Sequence, residues 1–343
     1  MDVTLTDDQQ LLHDTASALA DDLACATADA LDDLTADVWT PLVELGVPAL
    51  RSPTLSGVDA TGVEVALVVE QFGRTLSPAP TVGQAVLVPE LLDAAGAHAA
   101  LERVATGALR VAPAFRADLS ALASLGDDAV AIDARGATHA LLVDGDRRLV
   151  AVALDTPPLD GLDLTRTLVP VAPDGRVDDL GDLGGAIAHA AWDTAQALCL
   201  TAFAADLVGV MQGALDDAVA YVAERKQFGV AVGTFQAVQH LAADALVQLE
   251  GARSCCWYAA WAVDHLAPDQ ALLAAHVANG YASRAGLEVV EATVQMFGGI
   301  AITWEQTSHL RVRRALLDRQ IGGDESVQYA EVAELRLAHP ELI

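Results

Sequence analysis

ERKQFGVAVGTFQAVQ, Glu224 to Gln239, decides how this chain is read. It closes one long apolar run, Ile187 to Arg225, and opens another, Thr234 to His265. Arg225 and Lys226 stand at the C-terminus of the first run, where cations interact well with a helix dipole. Phe228-Gly229 reads as the end of that helix, and Phe235 restarts the apolar pattern. A third run, Asp269 to Phe297, lies between the breaks "LAPD" and "FGGIA". All three are long enough to cross a domain. With two shorter helices after them, residues 183–343 read as a C-terminal four-helix bundle.

Upstream the pattern changes twice. Residues 108–182 hold short β-type runs separated by turns, among them "LRVAPAF", "DAVAIDA" and "LVPVAPDGRV". Asp144-Gly145 fits a tight hairpin between two Val/Leu-rich strands. Residues 1–107 read as helices. Thr6 caps the first, with Asp7 and Asp8 in its first turn. "VWTPLVELG" forms a second that stops at Gly46, and Val63 to Phe72 a third that stops at Gly73. "SPAPT" is a breaker. The fold class is therefore α+β and mostly α: an N-terminal helical domain, a small middle β domain and the bundle.

The 343 residues are 53 % hydrophobic but only 4 % aromatic, a mix that suits packed helices. A net charge of −29 repels nucleic acid and anionic lipid, so neither is expected as a partner. Lys226 is the only lysine. Cys25, Cys199, Cys255 and Cys256 show no metal or disulfide spacing, which fits buried thiols in a reducing compartment. The N-terminus carries no signal-peptide pattern, and every apolar run of membrane-spanning length has a charge or polar break. A cytoplasmic location is expected.

Two further stretches combine turn and site character. In "VQMFGGIAITWEQ", Val294 to Gln306, the glycine pair serves as a helix C-cap or lets backbone amides approach a phosphate. In "RQIGGDES", Arg319 to Ser326, Asp324 fits a helix N-cap. The nine histidines have no paired-ligand spacing, so no metal site is expected. Cys199 lies mid-helix and reads as packing.

Taken in order, these stretches resemble the acyl-CoA dehydrogenase family over nearly the whole chain. "LTDDQQLLHDTA", "WTPLVELGVPAL" and "EQFGRTLSPAP" follow its N-terminal helical domain; "YVAERKQFGVAVGTFQAVQHLAAD", "VQMFGGIAITWEQTSHLRVRRA" and "IGGDES" follow its bundle. The resemblance implies FAD as cofactor and an acyl-CoA as substrate. A glutamate takes the α-proton, a hydride leaves for the flavin, and an electron-transfer flavoprotein takes the electrons. It also implies site residues. Arg225 matches the arginine at the FAD pyrophosphate, a task suited to a guanidinium. Gln227 and Phe228 match neighbours lining the adenosine end, and Gln236 another polar position there. Gln295 and Gly299, with Gly298 beside it, match a glutamine and glycine that approach the same cofactor. In the family these contacts go to the FAD of the neighbouring subunit.

The departures lie on the other half of the site. The family's catalytic glutamate falls on Gly322, and the alternative glutamate position of some relatives on Cys199, so no catalytic residue is assigned. Asp324 replaces a Thr or Ser that touches FAD, where an unpaired anion is unfavourable. The β domain lacks the segments that cover the flavin ring. What is lost serves a subunit's own flavin and substrate; what is kept serves the partner's. This resembles the short, base-lacking subunit of bacterial acyl-CoA dehydrogenases that shorten sterol side chains. The implied partner is a catalytic acyl-CoA dehydrogenase subunit, in a heterodimer or an α2β2 heterotetramer. One alternative is a self-sufficient homo-oligomer with Asp324 or Glu325 as base. Another is a non-enzymatic binding protein on the same fold.

Overall fold

The structure is a computed structural model that describes residues 4–32 and 37–338. The chain opens with helices α1 (Asp7–Asp22), α2 (Asp29–Asp32), α3 (Thr40–Leu45), α4 (Pro53–Ser56), α5 (Gly62–Arg74), α6 (Val88–Ala94) and α7 (His98–Ala105). A π-helical stretch, Thr81–Leu87, precedes α6 and follows the "SPAPT" break. Local chemistry sets the first boundaries. Thr6 Oγ1 accepts from the Gln9 amide while Gln9 Oε1 accepts from the Thr6 amide, a capping box. Thr61 and Glu64 repeat the device at α5. Gly46, with φ +82°, ends α3 as expected.

Gly73 departs from expectation. Helix α5 runs through it to Arg74. A Cβ there would lie 2.4 Å from the carbonyl oxygen of Asp206, so this glycine permits a close helix crossing and does not end the helix.

Strands β1 (Val111–Arg116), β2 (Ala129–Ala131), β3 (His139–Val143), β4 (Leu149–Ala153), β5 (Val169–Val171) and β6 (Val177–Asp178) form one sheet in the order β5-β2-β1-β3-β4-β6. Only β1 and β3 pair in parallel. Side chains alternate between faces. Val111, Phe115, Leu141 and Val143 join the helical core, while Ala112, Ala114, Ala140 and Leu142 form a second apolar layer. The β3–β4 connection is longer than the expected Asp144-Gly145 turn. Asp144 Oδ1 accepts from the amides of Asp146 and Arg148, and the left-handed residue is Arg147, φ +58°. The Asp side chain, not the glycine, organises the reversal.

The bundle follows: α8 (His189–Glu224), α9 (Gln236–His265), α10 (Pro268–Phe297), α11 (Ser308–Asp318) and α12 (Glu325–Ala338). Helix α8 is buried almost all round from Ala195 to Leu215 and packs against α5, α9 and α10. It and the stretch Pro268–Ile302 are long and apolar enough to cross a membrane by length and composition alone. Inside this fold the first is the central core helix, its apolar window 94 % buried.

Candidate functional site

Three segments meet at one end of the bundle: the C-terminus of α8, the α8–α9 connection and the C-terminus of α10. A small apolar cluster apart from the main core joins them through Ala218, Val222, Met296, Phe297 and Ala301. Tyr221 packs on Phe297 with ring centroids 5.0 Å apart. Arg225 caps α8, its amide donating to the Tyr221 carbonyl and its carbonyl accepting from the Val232 amide at 2.7 Å. The chain then reverses. β7 (Lys226–Gln227) pairs with β8 (Val230–Ala231), and Phe228 and Gly229 are the turn residues, at φ +52° and +84°. Two left-handed residues in succession suit the right-handed twist of a hairpin. The expectation that Phe228-Gly229 ends the helix is therefore corrected: α8 ends at Glu224, and this pair turns the hairpin.

Phe228 stands at the tip, 95 % exposed, with the Phe235 ring edge to face beside it. Arg225, Lys226, Gln227, Gln236, Gln295, Gly298 and Gly299 are exposed as well. Among the described residues neither Arg225 nor Lys226 forms an ion pair. Gly298 ends α10 at φ +69°, its amide donating to Val294, so the C-cap reading holds. Nothing lies within 4 Å of a Cβ built on Gly298 or Gly299, which leaves this backbone open to an approaching group. The fold thus gathers all the residues singled out from "ERKQFG" and "VQMFGG" at one accessible end, with unpaired cations beside an apolar tip.

The "RQIGGDES" loop is the opposite case. Gly322 has φ +81°, and a Cβ there would lie 2.6 Å from Leu200 Cδ2. Its amide donates to the Leu119 carbonyl at 2.8 Å, so the chain leaving β1 rests directly on the loop. Gln328 Nε2 donates to the carbonyls of Gly322 and Gly323. Asp324 Oδ1 accepts from the amides of Ser326 and Val327, which is the N-cap expected of it. Glu325 receives both arms of Arg319, at 2.6 Å each, and that pairing holds its carboxyl below the usual range. Cys199 is buried, which pushes its thiol up to about 12. Phe115 of β1 meets Phe203 of α8 edge to face, centroids 6.4 Å apart. Sheet and bundle are in direct contact here.

Comparison with known proteins agrees with this architecture. The acyl-CoA dehydrogenase C-terminal domain family matches residues 200–336. Acyl-CoA dehydrogenase IpdE2 of Mycolicibacterium smegmatis is 31 % identical over 326 residues, covering 93 % of this chain and 96 % of that protein. The chain belongs to the acyl-CoA dehydrogenase family. Among solved structures, the Tcur3481-Tcur3483 steroid ACAD G363A variant superimposes with a TM-score of 0.80 at 25 % identity, covering 98 % of this chain and 100 % of that one. The ChsE4-ChsE5 complex from Mycobacterium tuberculosis gives 0.79 at 21 % identity, with 99 % of each chain covered.

Members of the acyl-CoA dehydrogenase family bind FAD, so the residues can be tested against it. The Arg225 end fits: an unpaired guanidinium, an exposed aromatic and open glycine backbone suit a pyrophosphate with an adenosine attached. The Gly322 side does not. A longer side chain at Gly322 meets Leu200, its neighbours Asp324 and Glu325 are bound to the backbone and to Arg319, and Leu119, in the turn after β1, accepts from its amide.

One buried group went unnoticed in the sequence. Arg166 donates to Asp133 at 2.6 Å and to Asp318 at 3.0 Å, while Arg314 donates with two nitrogens to Asp206 and with a third to Thr165. Asp163 lies 3.9 Å from Arg314. All six charged side chains are essentially dry. Four acids face two arginines. Asp206 is held low by Arg314 and Arg166 against its burial. Asp318 is driven well above the ordinary carboxylate range by burial, with Asp206 beside it opposing ionisation. The two carboxyls are hydrogen-bonded to each other, an arrangement that favours keeping a proton on Asp318. Asp133 also accepts from the Gly83 amide, so this network ties the π-helical stretch, the sheet, α8 and α11 together.

Proposed function

We propose that this chain is a non-catalytic subunit of a heteromeric, FAD-dependent acyl-CoA dehydrogenase, completing the FAD site of a catalytic partner. One contrast carries the reading. The Arg225–Gly299 end is open, with no ion pair among the described residues, whereas the family's base position, Gly322, carries no side chain: it sits at φ +81°, with Leu200 Cδ2 2.6 Å from where a Cβ would stand and its amide held by the Leu119 carbonyl. Arg225 is assigned to the partner's FAD pyrophosphate. Gln227, Phe228 and Gln236 are assigned to its adenosine side, and Gln295, Gly298 and Gly299 to the same cofactor. When bound, FAD accepts the hydride; this chain's residues hold and orient its diphosphate end. The base and the flavin-ring pocket come from the partner. The substrate class is a steroid-derived acyl-CoA, supported by the steroid ACAD among the structural neighbours. An electron-transfer flavoprotein is the expected oxidant, and a cytoplasmic location accords with four free thiols.

Purified alone, the chain should carry little FAD and no dehydrogenase activity. Co-expressed with a family member that retains the glutamate, it should copurify with it and restore both. Full activity from the lone chain would overturn the proposal. The homomeric alternative is weaker. Asp324 is committed to a helix cap and Glu325 to Arg319, so neither is free to take a substrate proton.

A further inference from the structure

Away from the Arg225 end, two arginines come together, and among the described residues no carboxylate pairs with either. Arg110 precedes β1, and Arg135 follows β2. Arg110 Nη2 donates to the Arg135 carbonyl, and Arg110 Nε reaches Gln84 Oε1 at 3.4 Å. Its guanidinium lies over the Trp39 ring, 5.0 Å from the centroid. Among the described residues the Arg135 guanidinium has no hydrogen-bond or ion-pair partner, and its Nε is buried. Trp39 is only 4 % exposed, and its Nε1 likewise lacks an acceptor. Asp37 acts on Arg110 through space, yet its Oδ1 is engaged by the amides of Trp39 and Thr40. Gly136 makes the seat possible. It has φ +69°, and a Cβ there would fall 2.2 Å from Arg110 Nη1.

In a chain of net charge −29, acids are abundant, yet among the described residues none pairs with these two half-buried cations. Buried donors without acceptors are rare in folded proteins and costly to keep. Adjacent desolvated cations also repel each other, and burial holds both below the usual arginine range. We propose that Arg110, Arg135 and the Trp39 indole form a binding site for an oxyanion of the phosphate class. The Arg135 guanidinium, Arg110 Nη1 and the indole N–H are the donors here without an acceptor among the described residues, enough to match several oxygens on one centre. The site lies on the sheet and the N-terminal helices, so it does not depend on the FAD reading.

The test is thermal unfolding of the full chain carrying Arg225→Ala, so that phosphate at the proposed FAD end contributes nothing. Inorganic phosphate at about 10 mM, against chloride of equal ionic strength, should raise the melting temperature by about 2–4 °C. Acetate and coenzyme A, tried in parallel, separate a carboxylate or a phosphate ester from the free ion. Arg135→Gln, a half-exposed change that leaves the fold intact, should abolish the rise; Trp39→Phe should weaken it. No rise in the parent protein, or an undiminished rise in Arg135→Gln, overturns the site.

Discussion

At Gly322 the backbone angle sets the strain that any side chain would meet. With φ at +81° and Leu200 where a side chain would project, Gly322→Ala combines left-handed strain with overpacking. It should cost about 2–4 kcal/mol, read as a lower urea midpoint. Gly322→Glu should cost at least as much and yield no dehydrogenase activity in the lone chain; appearance of activity would show that only the carboxylate was missing. Arg225 makes the opposite case, since among the described residues nothing pairs with its guanidinium. Arg225→Ala should leave the melting temperature unchanged. It should weaken FAD retention by the complex about 10–100-fold, the range for losing a charge-assisted hydrogen bond, measured by flavin absorbance after dialysis. Both positions could be singled out in the sequence, because each stands at a counted position in a recognisable motif. The role of Phe228 was not. Phenylalanine is no turn-former, and only the paired positive φ values reveal it at the tip of a hairpin.

Helix ends were the elements best read in advance. Thr6, Gly46 and Asp324 act locally, through side chains or dihedrals that the neighbouring residues dictate. Gly73 was misread because a glycine that ends a helix and one that lets helices cross look alike in one dimension. The difference is the Asp206 carbonyl, more than a hundred residues away. The Asp324 cap gives an element-scale prediction. Asp324→Ala removes the acceptor of two α12 amides and should cost about 1 kcal/mol. The flavin content and turnover of the assembled enzyme should not change. A fall in turnover with stability preserved would instead support Asp324 as a base. Glu325→Gln serves as the companion, because it weakens the Arg319 pair without touching the cap.

Across the whole molecule, the Arg166–Arg314 network was beyond the reach of sequence reading. Its acids stand at 133, 163, 206 and 318, with no spacing that marks them, and only the fold brings them together. Its two ends respond to pH in opposite senses. Asp206 has a folded pKa below its unfolded value, so its contribution is present above about pH 4 and lost as pH falls through the folded pKa. Asp318 has a folded pKa raised above the unfolded value. Its contribution is complete below about pH 4 and declines as pH rises toward the folded pKa, because the unfolded chain releases a proton that the fold retains. Asp318→Asn keeps a neutral hydrogen-bond donor beside Asp206 but has no proton to retain. The variant should therefore lose the part of the stability decline between pH 4 and 8 that Asp318 supplies, giving a flatter curve of melting temperature against pH than the parent. Asp206→Asn leaves Arg314 without its paired carboxylate and should cost about 3–5 kcal/mol, as expected for breaking one side of a buried ion pair. Parallel curves for the parent and Asp318→Asn would mean that Asp318 is ionised in the fold and that two arginines hold four charged acids.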